Sequence, residues 1–280
     1  MRTPLKATFL LLLAGASGAY AQTSIPLTVS GNEAHGNIGL GQGINGDLTI
    51  SFENVVGLTP TSLTASATLV DPADPGLRSR LPSMVAVPDA FPVLVRIAPS
   101  SNSTLSFRGV VYVTLHTGNL HLEPSAPKSL FKAPDGGFFN DITESESSGS
   151  YRVCGSGGSF SEFLIVSDGR GAYTLQLLDT VIVDKFIRLQ ASLVDHATSM
   201  PLLVYTALQT RLTQARSLFD SGDLLGAITK ITSFESYVIA HSGSDIPDLW
   251  QAGDPTVVNV AGLLRSGADT LKFSLVRASP

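Results

Sequence analysis

The spacing of apolar residues changes near residue 170, and this change constrains the fold more than any other feature of the sequence. Before it, apolar and polar residues mostly alternate, as they do from Leu105 to Leu115, which predicts strands with one buried face. After Gly171 apolar residues recur at steps of three and four, which predicts amphipathic helices. We therefore expect two domains, a β region over residues 22–170 and a helical region over residues 171–276.

The β region is expected to form an antiparallel β-sandwich. Its apolar segments are short, rich in β-branched residues and separated by turns such as Asp71-Pro72-Ala73-Asp74-Pro75-Gly76. Many short strands of this kind predict either one large sandwich or two small ones. The candidate strands are Ile25 to Ser30, Asp47 to Glu53, Ser62 to Val70, Phe91 to Ile97, Leu105 to Leu115 and Phe160 to Val166.

The helical region is expected to form a bundle of about four helices. Pro201 can start the second helix, Gly222 can end it, and Asp223 can cap the third. Asp254-Pro255 is read in the same way as the start of the fourth. The apolar stripes are Leu175, Leu178, Ile182, Phe186, Leu189 and Leu193; Leu208, Leu212, Ala215 and Phe219; Leu224, Ala227, Ile231, Phe234 and Val238; and Ala261, Leu264, Ala268 and Leu271.

The N-terminus has the pattern of a secretory signal peptide over residues 1–21. Arg2 and Lys6 precede the apolar stretch from Phe9 to Ala14, and Ala19-Tyr20-Ala21 is a small-residue cleavage site. No other segment is long and apolar enough to span a bilayer, so we expect no transmembrane segment in the mature chain. The predicted location is periplasmic or extracellular.

The helical hairpin resembles the FIMAH domain, a helical module appended to secreted bacterial proteins, many of which degrade polysaccharides. The pattern appears in Gly222-Asp223, in the third helix and in His241-Ser242-Gly243 followed by Ile246, and the likeness covers about residues 172–275. It implies an accessory module with no assigned catalytic residues. The long connection from Ser244 to Pro255, which contains Trp250, departs from the family pattern.

The end of the β region resembles the final strands of bacterial surface β-sandwiches that close on G-x-F-S-x-[FY]. The matching residues are Gly158, Phe160, Ser161 and Phe163. Together the two likenesses indicate an uncharacterised family of secreted bacterial proteins with a sandwich followed by helices.

Composition argues against one class of function and limits the role of the single cysteine. The net charge of −5, with scattered cations, argues against nucleic-acid binding, which needs a basic face. Cys154 is the only cysteine, so it cannot form an internal disulfide. We expect it to be a buried strand residue; an intermolecular bridge or a nucleophile is the alternative, and a nucleophile would need a nearby cation.

No motif in the sequence predicts a metal or phosphate site. His116 and His121 are five residues apart, which places them on opposite faces of a regular strand, and they fall short of the ligands that zinc requires. The glycines of Gly39 to Gly46 and of Gly155 to Gly158 lead into strands, whereas phosphate-binding loops open a helix. We therefore expect no cofactor and no metal-binding residues.

Three further groups have a functional alternative beside the structural one. Asp135, Asn140 and Asp141 offer the oxygen ligands of a calcium site, but their spacing does not match the twelve-residue calcium loop, and turn formation explains them more simply. Glu144 and Glu146 are expected to be solvated charges in a serine-rich loop. Trp250 is expected to cover one end of the bundle beside Leu249 and Ile246, with stacking on a sugar ring as the alternative.

Two functional hypotheses follow, and no catalytic residue is predicted. The first is a non-enzymatic exported protein that binds, adheres or assembles at the cell envelope, the extracellular matrix or a glycan. The alternative is a secreted hydrolase whose active site is assembled from non-sequential residues of the sandwich loops. Converging carboxylates in a deep cleft, or a serine within hydrogen-bond reach of a histidine, would favour the hydrolase.

Overall fold

The computed structural model describes residues 21–122, 127–147, 149–171 and 175–279. Residues 1–20 of the predicted signal peptide lie outside these ranges, and so does the side chain of Leu175. Within them the chain is mostly β in its first part and helical in its last part, as expected. The strands are β1 Thr23–Ile25, β2 Thr28–Ser30, β3 Glu33–Gly39, β4 Asn45–Val56, β5 Leu63–Leu69, β6 Val85–Ala86, β7 Val93–Pro99, β8 Ser106–His121, β9 Lys128–Ala133, β10 Asn140–Asp141, β11 Thr143–Ser147, β12 Ser150–Gly157, β13 Glu162–Asp168 and β14 Trp250–Gln251.

These strands form two antiparallel sheets. The first has the order β1-β5-β7-β13-β9-β10, with β6 beside β13, and the second has the order β11-β12-β8-β4-β3-β2, with β14 beside β8. Strand β4 shows why they pack: Leu48, Ile50 and Phe52 are buried, whereas the intervening residues are polar. One hydrophobic cluster contains side chains of both sheets, so the sheets enclose a common core.

The described residues contain five α-helices, one more than the four or so that were expected. Helix α1 is a single turn in the β region, and the other four follow the sheets. The helices are α1 Pro75–Arg78, α2 Leu175–Asp195, α3 Leu202–Asp220, α4 Leu224–His241 and α5 Val260–Ala278. The predicted stripes of α2 to α5 pack together in a second hydrophobic cluster. No helix of the described residues is long and apolar enough to cross a membrane.

The turn between α3 and α4 is formed as predicted. Gly222 has φ of +83°, a left-handed conformation that glycine adopts without strain. The carboxylate of Asp223 accepts a hydrogen bond from the N–H of Gly226 (2.8 Å) and so caps α4. The short connection makes the two helices antiparallel neighbours.

The predicted start of the last helix is wrong by five residues. Asp254 accepts hydrogen bonds from Thr256 and forms a turn, so it does not cap a helix. The N-cap is Asn259, whose Oδ1 accepts from the N–H of Gly262 (2.8 Å). The Nδ2 of Asn259 also donates to the carbonyl of Gly109 in β8 (2.7 Å), so the residue that starts α5 also attaches it to the second sheet.

Candidate functional site

A concave cleft lies where the two sheets meet helices α2 and α5. Its volume is about 590 Å³, within the usual range of ligand sites. Strands of both sheets line one side, and the two helices line the other. We call it the cationic cleft; the charged residues that line it are Arg96, Lys132, Asp135, Asp141, Glu162, Lys185 and Arg188.

Every carboxylate of the cationic cleft has a basic partner. The calcium hypothesis concerned Asp135, Asn140 and Asp141, and in the structure the oxygens of all three contact cationic side chains. Asn140 accepts from Arg188 (3.0 Å). Among the described residues, no group of three or more His, Cys, Asp or Glu side chains is placed to bind a metal ion. The ion pairs are Asp141 with Lys185 (2.6 Å), Asp135 with Arg96, and Glu162 with Arg80.

The pair of Asp141 and Lys185 joins the sheet to both helices. Only 5% of the Asp141 side chain and 1% of the Lys185 side chain are exposed. Nζ of Lys185 also donates to the carbonyl of Thr270 (3.1 Å) and to Oγ of Ser274 (2.8 Å), both in α5. Burial by itself would raise the pKa of Asp141. The adjacent ammonium of Lys185 has the stronger effect, so the pKa of Asp141 is lowered. This pair therefore fixes the position of α2 beside the cleft.

Two cations of the cleft, Lys132 and Arg188, form no ion pair with a described residue. Nζ of Lys132 donates to the carbonyl oxygen of Ser159 (2.6 Å) and contacts its Oγ at 3.3 Å. Burial lowers the pKa of Lys132 from 10.5 to about 8, and no carboxylate opposes the shift. Arg188 donates to the neutral side chain of Asn140. The cleft thus has excess positive charge in a chain whose net charge is −5.

Trp250 lines the cleft and packs against the core of the β region. The expectation that it covers one end of the bundle is wrong, because β14 pairs Trp250 with Phe107 of β8. The two rings stack with centroids 5.2 Å apart, and the edge of Phe160 meets the indole at 5.1 Å. A second cavity of about 440 Å³ also contains Trp250, together with Pro99, Ser159 and Leu263 of the cationic cleft.

A separate polar cluster lies on the second sheet, where Asp47 and His116 are directly paired residues of β4 and β8. Oδ2 of Asp47 is 3.0 Å from Nδ1 of His116, and Nε2 of His116 is 2.7 Å from Oγ of Ser150. His121 contacts the carbonyl of Gly149, the residue before Ser150. We expected the two histidines on opposite faces of a regular strand. Strand β8 is not regular between them, because its pairing with β12 shifts register between Ser150 and Tyr151.

Glu144 and Glu146 are not solvated loop residues, contrary to expectation. Both lie on β11, next to α5. Glu144 accepts hydrogen bonds from the N–H and the Oγ of Ser156, and burial raises its pKa to about 8. Glu146 lies 3.7 Å from Arg277 of α5, and burial raises its pKa as well. Helix α5 covers this strand, which could not be foreseen from the local sequence.

Cys154 is a free, partly buried thiol on β12, the strand environment that was expected. Burial raises its pKa, which opposes formation of the thiolate that a nucleophile needs. The two glycine-rich segments also lie as expected. Gly39 to Gly46 contains the turn between β3 and β4, and Gly155 to Gly158 ends β12, so neither precedes a helix.

Sequence reasoning missed Lys132, Arg188 and Ser150. Lys132 lies on β9, a strand that was not predicted, and a lysine inside the apolar run Leu130-Phe131-Lys132-Ala133 was the available signal. Arg188 lies outside the apolar stripe of a predicted helix and resembles an ordinary surface residue. Ser150 acquires its significance only when the sheet brings it to His116.

The comparisons with known proteins give one match. The family model described as "Family of unknown function (DUF6689)" matches residues 9–279. No curated protein and no solved structure matches significantly.

Proposed function

The chain belongs to DUF6689, a family of unknown function, and we propose that it is an exported protein whose cationic cleft binds an anionic ligand. The ligand class we propose is an acidic glycan of the cell envelope or the extracellular matrix. One observation carries the proposal: Lys132 and Arg188 line a cleft of about 590 Å³ and form no ion pair with a described residue. In this proposal the two sheets are a single sandwich, and α2 to α5 are a FIMAH-like bundle that completes the cleft.

The donors of the two cations favour a carboxylate or a sulfate as the bound group. A lysine ammonium has three N–H donors, and the described contacts of Lys132 leave at least one of them for a ligand. Arg188 uses Nη1 toward Asn140, so other guanidinium N–H groups can bind a planar carboxylate. At neutral pH a lysine with a pKa near 8 is still mostly protonated.

The remaining lining favours a sugar. Hydroxyl groups and the indole ring of Trp250 line the cleft together with the two cations, which is the combination that carbohydrate rings contact through their hydroxyls and their apolar faces. The three carboxylates of the cleft are ion-paired, so none is available as a general acid or base, which favours binding over glycoside hydrolysis. The lining hydroxyl groups belong to Ser156, Ser159, Ser161, Ser192, Ser266 and Thr270.

The test uses residues 22–280 and polysaccharides that differ only in charge. Binding to a uronate polymer is compared with binding to the same polymer after its carboxyl groups are reduced to alcohols. We expect binding to the charged form, weakened by salt. Lys132→Gln and Arg188→Gln should each reduce affinity about tenfold or more, since each removes a charge-assisted hydrogen bond.

Arg78→Gln is the matched control, because it removes an exposed cation that does not line the cleft. It should leave affinity unchanged. Affinity should also fall as the pH rises above about 8, where Lys132 loses its proton, and Lys132→Gln should abolish that fall. Equal binding of the reduced polymer, or equal losses in all three variants, would contradict the proposal.

A further inference from the structure

Asp47, His116 and Ser150 have the hydrogen-bond order of a nucleophile, a base and an orienting acid. With the proton of His116 on Nδ1, that nitrogen donates to Asp47 (3.0 Å), and Nε2 accepts from the hydroxyl of Ser150 (2.7 Å). The described strands bring these groups together from three separate parts of the chain, β4, β8 and β12. This is the arrangement that activates serine for acyl transfer on unrelated folds.

The surroundings of Ser150 allow a substrate to approach. Ser150 is exposed and follows Gly149, whose φ of +95° turns the chain into β12. Asp47 and His116 line a cavity of about 590 Å³ that shares no residue with the cationic cleft. Arg152 also lines it, lies opposite His116 in the register of β12 and β8, and forms no ion pair with a described residue.

We propose that Ser150, His116 and Asp47 form a site that hydrolyses short-chain esters, an activity beyond binding in the cationic cleft. Oγ of Ser150 attacks the ester carbonyl carbon while its proton passes to Nε2 of His116. The C–O bond to the leaving alcohol breaks, and Nε2 gives that proton to the alcohol. Water then attacks the acyl-serine, releases the carboxylic acid and restores Ser150. The polar lining of the cavity selects short acyl chains over long ones.

The experiment is fluorophosphonate labelling of residues 22–280, read as a mass increase of the intact protein and mapped by peptide. We expect one adduct, on Ser150. We also expect p-nitrophenyl acetate to be hydrolysed faster than p-nitrophenyl octanoate. Ser150→Ala should abolish both. His116→Gln should reduce hydrolysis about 100-fold or more, since it removes the base.

Ser30→Ala is the matched control, because Ser30 is exposed on strand β2 of the same sheet and does not line the cavity of Asp47 and His116. It should keep both adduct and hydrolysis. An absent adduct, or equal labelling of Ser150→Ala, would overturn the proposal, provided that far-UV circular dichroism shows each variant folded. Binding of uronate polymers by Ser150→Ala is measured in parallel, so failure here is distinguishable from failure of the cleft proposal.

Discussion

Folding places the carboxyl group of Glu144 in an environment that disfavours its charge. Burial raises its pKa from 4.5 to about 8, although Ser156 donates two hydrogen bonds to it. Between these two pH values the native state binds more protons than the unfolded chain. The stability contributed by this group is therefore complete below pH 4.5 and is lost as the pH rises through about 8.

The variant Glu144→Gln tests whether ionisation of the Glu144 carboxyl lowers the stability of the protein. Glutamine has nearly the shape of a protonated glutamate but does not titrate, so the variant should match the wild type near pH 5 and become relatively more stable toward pH 8. Urea unfolding midpoints at several pH values measure the difference. Asp135→Asn, at an exposed carboxylate, is the control. A constant difference between wild type and Glu144→Gln across this range would show that the carboxyl is ionised throughout.

At the scale of single residues, the sequence indicated chemistry only where neighbours in the chain were involved. The cap formed by Asp223 was predicted because its partner is three residues away. Lys132, Arg188 and Ser150 were not, because the partner of each is on another strand, turn or helix, 27 to 48 residues away. A local pattern carries no information on such pairs before the topology is known.

At the scale of elements, helices were predicted better than strands. The stripes of α2 to α5 proved buried because four or more apolar residues mark each helix face. Strands β3, β9, β11 and β12 were missed, since glycine, serine and charged residues interrupt their alternation. These strands are stabilised by pairing with neighbours such as β4 and β8, which overrides weak local propensity.

The N-cap side chains of α4 and α5 make the same hydrogen bond in opposite environments. Exchanging the two residue types should therefore have different effects at the two positions. Asp223 faces solvent, whereas Asn259 is buried and its Nδ2 donates to Gly109. Asp223→Asn should change the free energy of unfolding by less than about 0.5 kcal/mol. Asn259→Asp should cost about 2 kcal/mol or more, because it turns a carboxylate toward a carbonyl. Urea denaturation measures both, and equal effects would contradict a dual role of Asn259.

At the scale of the whole molecule, buried and partly buried polar contacts connect the sheets to the helices. The pair of Asp141 and Lys185 is one, and a two-pronged contact between Glu53 and Arg265 (2.6 and 2.7 Å) is another. Breaking such a contact leaves a buried charge without its partner. The two hydrophobic clusters are therefore expected to lose their structure together.

We predict a single unfolding transition for residues 22–280. The fluorescence of Trp250, which reports on the β core, should change together with the circular dichroism at 222 nm, which reports on the helices. Asp141→Asn should lower both midpoints equally, with a loss of about 3 kcal/mol. The exposed Asp220→Asn is the control and should have little effect. Two separate transitions would show that the regions unfold independently.

The attachment of α5 to strand β8 also governs when the protein can finish folding. Asn259 and Gly109 are 150 residues apart, and Arg265 and Glu53 are 212 apart. Since synthesis proceeds at about 5–20 residues per second, Asn259 is synthesised roughly 8 to 30 s after Gly109, the residue to which it donates. During that interval the second sheet lacks helix α5, which covers it. The C-terminal residues therefore complete a structure that the N-terminal strands begin.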